Sequence, residues 1–314
     1  MELENLKTVL KNNKTGNSIT LKSPIITASG TYGYVDEYED FIDMNCFGAI
    51  STKGITLEKR PGNSGERLFE VKGGMINRIG LENVGIDEFV KTKLPVLKSK
   101  NIDFFLNIAG SSSEDYEKLA SIAQKEGIKA IEVNVSCPNV KQGCLEFGLN
   151  PEILFKLIQK IRSVYEGFLV VKLSPNTTDI KTLATASAQA GADCISAINT
   201  LRALGVKVEY NGKFNVSTVQ GGLSGECIKP VALYMVSEIK RVVDIPVIAM
   251  GGINKLSDLF EFLAVGADAF QIGTQNFIKP TIATDIAHEL SEFMAKNEIK
   301  DFSQLKESLY EQRK

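Results

Sequence analysis

Short apolar runs recur along the chain. Each is closed by small or polar residues, and most are followed by a longer stretch with apolar positions three and four apart. Eight such runs are present: SPIITASG (23–30), FGAISTKG (47–54), DFFLNIAG (103–110), KAIEVNVS (129–136), FLVVKLSP (168–175), DCISAINT (193–200), IPVIAMGG (245–252) and DAFQIGTQ (268–275). Their length and their Val, Ile, Phe and Ala content mark buried strands. Between them, SSEDYEKLASIAQKEG, PEILFKLIQKIRSVY and NKLSDLFEFLAVG carry the period of amphipathic helices. Ser112 with Asp115 makes a capping-box pattern, and Gly127, Gly191 and Gly266 stand where helices should stop. Eight strand-then-helix units without a composition break predict an α/β protein, a (β/α)8 TIM barrel. The competing open doubly wound sheet lacks its GxGxxG fingerprint here.

Three segments exceed the minimal barrel. Residues 1–22 place the turn KTGN between LKTVL and SITLKS, which predicts a hairpin plugging the barrel bottom. Residues 54–85 read as an irregular Gly-rich excursion after the second strand, and 199–225 as another after the sixth. Both belong on the catalytic face, where strand C-termini open.

Composition narrows the function. With 314 residues, 43% of them hydrophobic, the chain suits one barrel domain over 1–314 with insertions. Lys and Arg total 36 against 38 Asp and Glu, and no basic run is present, which argues against nucleic acid and for a small molecule. Five scattered cysteines (Cys46, Cys137, Cys144, Cys194, Cys227), with no secretory signal or long apolar span, argue against disulfides and membrane insertion and for the cytoplasm.

Candidate chemistry gathers at the strand ends: Ser29 and Gly30, Lys53 and Gly54, Asn107, Asn134, Lys172, Asn199 and Thr200, Gly251 and Gly252, Gly273 and Thr274. A barrel brings these ends to one mouth, and two lysines there imply an anionic ligand. MGGI and IGTQ follow the seventh and eighth strands, where this fold commonly holds a phosphate on backbone N–H groups, and LSGE (223–226) opens the preceding helix. FMN fits, with Lys172 placed to stabilise charge on a reduced flavin. A phosphorylated sugar fits the glycines equally well. For proton transfer, the lone His288 lies in the amphipathic stretch TIATDIAHELSEFMAK and reads as a helix-surface residue. No metal cluster or Ser/His/Asp set can be assembled. Cys137 remains as the base, in a loop directly after a strand, with the ordinary thiol pKa of about 8.5. Cys144, seven residues later, reads as a decoy or a packing residue.

NVSCPNVKQG, NRIGLEN (77–83), STKG (51–54), VKLSPN (171–176), AINT (197–200), MGGI (250–253) and GTQNF (273–277) together resemble the family 1 dihydroorotate dehydrogenases over almost the whole chain. The resemblance implies an FMN barrel that oxidises dihydroorotate to orotate in pyrimidine synthesis. It implies FMN contacts from Ser29, Lys53, Gly54, Asn107, Asn134, Lys172, Ile198, Gly225, Gly251, Gly252, Gly273 and Thr274. Substrate contacts are implied for Lys53, Asn77, Arg78, Ile79, Gly80, Leu81, Asn134, Asn199 and Thr200, with Cys137 as base. The NVK continuation and GTQNF are more similar to the NAD-linked type B catalytic subunit than to the fumarate-linked type A homodimer. Type B implies a homodimer core joined to an FAD- and [2Fe–2S]-bearing subunit in a heterotetramer. The alternatives are type A, a dihydropyrimidine dehydrogenase-like flavoprotein, and a noncatalytic phosphate-ligand-binding barrel.

Overall fold

The computed structural model describes residues 3–34, 44–135 and 147–311. Eight parallel strands close a barrel: β3 (Ile25–Thr27), β4 (Ala49–Ser51), β7 (Phe104–Ile108), β8 (Ala130–Asn134), β9 (Phe168–Lys172), β10 (Cys194–Ala197), β13 (Val247–Met250) and β14 (Ala269–Ile272). Each lies within one of the eight apolar runs. Neighbours around the ring follow chain order, and β14 pairs with β3 through Gln271 and Ile26 to close it. The helices start and stop as the sequence dictates. Ser112 caps Ser113–Lys125 with a reciprocal capping box, and Gly127, Gly191 and Gly266 take positive φ just past their helices.

The interior of the barrel is layered. Ile26, Ala49, Phe105, Ala130, Val170, Cys194, Ile248 and Ala269, at least one from every barrel strand, form a buried apolar cluster. The N-terminal hairpin, β1 (Thr8–Lys11) and β2 (Ser18–Leu21), adds Leu10, Ile19 and Leu21 to that cluster and so plugs one end. Asn12 fastens it, donating to the Ala192 carbonyl at 3.1 Å. Because side chains alternate along a strand, the residues two positions further on also point inward, one layer nearer the mouth. They are Ala28, Ser51, Asn107, Glu132, Lys172, Ser196, Met250 and Gln271, and all are buried. Six of these eight are polar, where the layer beneath is wholly apolar.

The two excursions differ from the sequence reading. Residues 54–85 are not irregular throughout: β5 (Leu68–Val71) and β6 (Gly74–Asn77) lie within them. Residues 199–225 hold a long ribbon, β11 (Leu201–Tyr210) and β12 (Phe214–Ser224), turned at Asn211–Lys213 with Gly212 at φ 89°. The four strands make one sheet in the order β11, β12, β6, β5, so the two loops brace each other over the mouth. Alternation in LGVKVEY and the NG pair were the available signals for the ribbon. Gly221 and Gly222 permit the crossing, since a Cβ would lie 2.2 Å from the Asn77 carbonyl oxygen or 2.0 Å from Thr200 Oγ1. His288 is also corrected. It is half-buried on the helix Ile282–Lys296, with Nε2 3.5 Å from the Sγ of buried Cys46, because it flanks the helix face that packs on the barrel.

Candidate active site

A cavity of about 360 Å³ opens at the C-terminal ends of the strands, roofed by the four-stranded sheet. Ser29, Lys53, Gly54, Asn134, Lys172, Ile198, Gly225, Gly251, Gly252, Gly273 and Thr274 line it, together with Asn77, Ile79, Gly80, Leu81, Asn199 and Thr200. Two candidates stand off its wall. Asn107 is fully buried behind Gly54, its Oδ1 3.1 Å from where a Cβ on that glycine would sit. Arg78 is held in the roof by backbone bonds, its N–H donating to Arg67 and its carbonyl accepting from Asn63. Cys137 and Cys144 lie outside the described residues. The described cysteines, Cys46, Cys194 and Cys227, do not line the cavity, and burial pushes the thiols of Cys194 and Cys227 up.

One end of the cavity is built to admit backbone. Gly225, Gly251 and Gly252 have φ of 107°, 124° and 78°, and a Cβ on each would meet Gly74 Cα at 2.5 Å, Ala232 Cβ at 2.8 Å and Lys229 Cβ at 2.6 Å. Only glycine satisfies both the conformation and the space. Glu226 ties these loops together by accepting from Asn254 and, at 3.2 Å, from Gln275, while Asp258 accepts from the N–H groups of Asn254 and Lys255 and pairs with Lys229 at 2.8 Å. Their carboxylates are engaged with the loops, and the glycines of those turns line the cavity.

The polar end is organised by a residue the sequence reading passed over. Glu132, fully buried in β8, accepts from Ser51 at 2.8 Å and Asn107 at 2.6 Å on Oε2, and from Ser196 and Gln271 at 2.8 Å each on Oε1. Lys172 Nζ stands 3.8 Å from Oε2. Burial pushes the Glu132 carboxyl up, but Lys172 and the bonds from Ser196, Gln271 and Ser51 outweigh it and hold the group below the usual carboxylate range. A charge in the middle of AIEVN, at an interior position of a barrel strand, was the signal available for it. Asn107 and Gln271 spend their amide N–H groups on Glu132, leaving Asn107 Oδ1 and Gln271 Oε1 buried without a partner. Such orphaned acceptors call for a hydrogen-bond donor from outside the chain.

The middle of the cavity is a chain of amides. Asn199 donates to Asn134 Oδ1 at 3.3 Å, and its own Oδ1 accepts from the Thr200 N–H at 2.8 Å. Asn176, quoted in VKLSPN but given no role, braces this turn by donating to the Thr200 carbonyl at 2.9 Å and accepting from the Arg202 N–H at 2.8 Å. Asn77 donates across the roof to the Gly222 carbonyl at 3.1 Å.

The profile of the family described as "Dihydroorotate dehydrogenase" matches residues 10–294. The chain belongs to that family. It is 43% identical over 295 residues to the "Dihydroorotate dehydrogenase B (NAD(+)), catalytic subunit" of Porphyromonas gingivalis, covering 94% of this chain and 96% of that one. It is 44% identical to the protein of the same description from Trichlorobacter lovleyi, covering 92% and 95%. A crystal structure of the Eimeria tenella enzyme in complex with ferulenol shares the fold, with a TM-score of 0.76 at 20% identity, covering 99% of this chain and 89% of that one. The family resemblance carried by NVSCPN, MGGI and GTQNF therefore holds over nearly the whole chain, and the relatives' descriptions agree with its type B likeness. Among the described residues no group of three or more His, Cys, Asp and Glu side chains could hold a metal ion, and no helix is long and apolar enough to cross a membrane.

Proposed function

We propose that this chain is the FMN-bearing catalytic subunit of an NAD-linked dihydroorotate dehydrogenase, a cytoplasmic enzyme of de novo pyrimidine synthesis that oxidises (S)-dihydroorotate to orotate. One observation carries the reading: a single cavity joins a glycine cradle, a buried lysine and a run of amides, which suits a phosphate, an electron-accepting ring and a flat imide substrate in turn. The cradle of Gly225, Gly251, Gly252, Gly273 and Thr274 would hold the phosphate through backbone N–H groups. The orphaned acceptors on Asn107 and Gln271 fit a ring bearing an N–H. Ser29, Lys53, Gly54, Asn134, Lys172 and Ile198 complete this cofactor set. When bound, FMN supplies the hydride acceptor that the side chains lack.

The substrate's ring carries N–H, C=O and carboxylate edges, and Asn77, Asn134, Asn199 and Thr200 both donate and accept. Lys53 supplies the cation for the carboxylate, and residues 77–81 close the roof. Cys137 removes the C5 proton as the C6 hydride departs. Lys172, which lines the cavity, would supply the positive charge that favours a reduced, anionic flavin. Electrons leave through a separate FAD- and [2Fe–2S]-bearing subunit in a heterotetramer. Its core is a homodimer of this chain, and the exposed apolar strip of Leu204, Val206, Val208, Tyr210, Phe214 and Val216 on the ribbon suits a protein contact.

The test is anaerobic. The purified chain is expected to carry one FMN and to bleach on addition of dihydroorotate. A protein that binds orotate but holds no flavin after reconstitution would instead be the noncatalytic barrel. A second prediction isolates the cradle. Gly252→Ala combines a left-handed φ with a 2.6 Å approach to Lys229 Cβ and is expected to weaken FMN binding at least tenfold by fluorescence titration. A dissociation constant within twofold of wild type would place the phosphate elsewhere.

A further inference from the structure

We propose that Glu132 is a positioning residue for the flavin: it anchors Lys172 and cancels its charge, and thereby sets how readily the bound flavin is reduced. The inference rests on the FMN reading above. The barrel layer beneath Glu132 is filled entirely with apolar side chains, and a buried ion pair is commonly no more stabilising than such a filling. A carboxylate at this level therefore calls for a reason other than packing.

The hydrogen-bond arrangement supplies one. Four neutral donors from four strands, Ser51, Asn107, Ser196 and Gln271, occupy the two carboxylate oxygens. Lys172, which lines the cavity, stands 3.8 Å away, too far for a direct hydrogen bond, so its ammonium is attracted without its donors being consumed. Because an ionised carboxylate only accepts, Asn107 and Gln271 must turn their N–H groups to it and leave Oδ1 and Oε1 unpartnered. One buried carboxylate thus orients two amides and neutralises one cation at the floor of the cavity.

Reduction adds negative charge to a flavin, so the net charge below it matters. In Glu132→Gln the ammonium of Lys172 is no longer cancelled, and the two-electron reduction equilibrium of bound FMN is expected to shift toward the reduced form at least tenfold, roughly 30 mV upward. In a Lys172→Met background Glu132 keeps its four donors but loses the ammonium, and the burial that opposes its charge then favours the protonated form. Adding Glu132→Gln to that background then exchanges one neutral group for another, and the shift is expected to fall below twofold. Ser196→Ala removes one hydrogen bond but no charge and is expected to move the equilibrium less than threefold.

Potentials are read by anaerobic titration with dithionite against a redox dye, alongside FMN affinity and melting temperature. A Glu132→Gln protein that holds FMN with an equilibrium within twofold of wild type overturns the proposal, as does an equal shift with and without Lys172. If Glu132→Gln does not fold, Lys172→Met carries the test. It should show a protonated-carboxyl infrared band at pH 7 that wild type lacks, and the absence of that band rejects the coupling. A wild-type chain without bindable FMN rejects the functional reading itself.

Discussion

Cys137→Ala is expected to slow flavin reduction by dihydroorotate by about 10²- to 10⁴-fold while FMN stays bound, the range for losing a general base. The separation of the two effects follows from the layout of the site. The glycine cradle stands on the loops after β10, β13 and β14, whereas Cys137 is three residues beyond Asn134, the last residue of β8. Removing the thiol therefore leaves the phosphate donors and Lys172 in place. The described cysteines offer no substitute, since Cys46 and Cys194 are buried away from the cavity and Cys227 stands outside its wall. Cys137→Ser is expected to recover part of the rate at high pH, a hydroxyl being the weaker base near neutrality. Stopped-flow flavin bleaching across pH, with Cys144→Ala in parallel, measures both. Greater damage from Cys144→Ala would move the base to that residue.

What was legible in the sequence was whatever repeats or is locally determined. The eight strands announce themselves because a parallel barrel strand is buried on both sides and cannot alternate. The capping box at Ser112 and the glycine stops depend only on residues within one turn. The site was legible as a ring because a barrel sends every strand end to the same mouth. Glu132 was not, because its meaning is tertiary: AIEV reads as an ordinary run until β4, β7, β10 and β14 bring Ser51, Asn107, Ser196 and Gln271 around it. The roof was missed for the same reason. FEVKGGMIN looks like a glycine-rich loop, and its two strands gain their sheet only when the ribbon from residues 201–224 reaches them, as Gly222 pairs with Asn77. Asn176 and Glu226 likewise act by bracing loops distant in sequence.

The isolated chain is expected to reduce its FMN with dihydroorotate and yet turn over NAD negligibly. A nicotinamide can take a hydride only where it docks beside the flavin. The sequence has no GxGxxG turn to hold a dinucleotide, and the cavity of about 360 Å³ proposed above for both FMN and the substrate is covered by the four-stranded roof. Nor can electrons leave through a cluster of this chain's own. A [2Fe–2S] centre takes four cysteine thiolates in close spacing, and the five cysteines here are scattered along the sequence, with Cys46 and Cys194 both buried. On the function proposed above, the electrons pass through another polypeptide that carries its own flavin and iron–sulfur relay. Co-expression with such an FAD- and [2Fe–2S]-bearing subunit is expected to restore NAD reduction by dihydroorotate, and mixing the two purified proteins should do so in proportion to the complex formed. Steady-state assays at 340 nm with the chain alone and with its partner decide the matter. Rapid NAD turnover by the chain alone would remove the need for a partner, and efficient fumarate turnover would assign it to the type A chemistry.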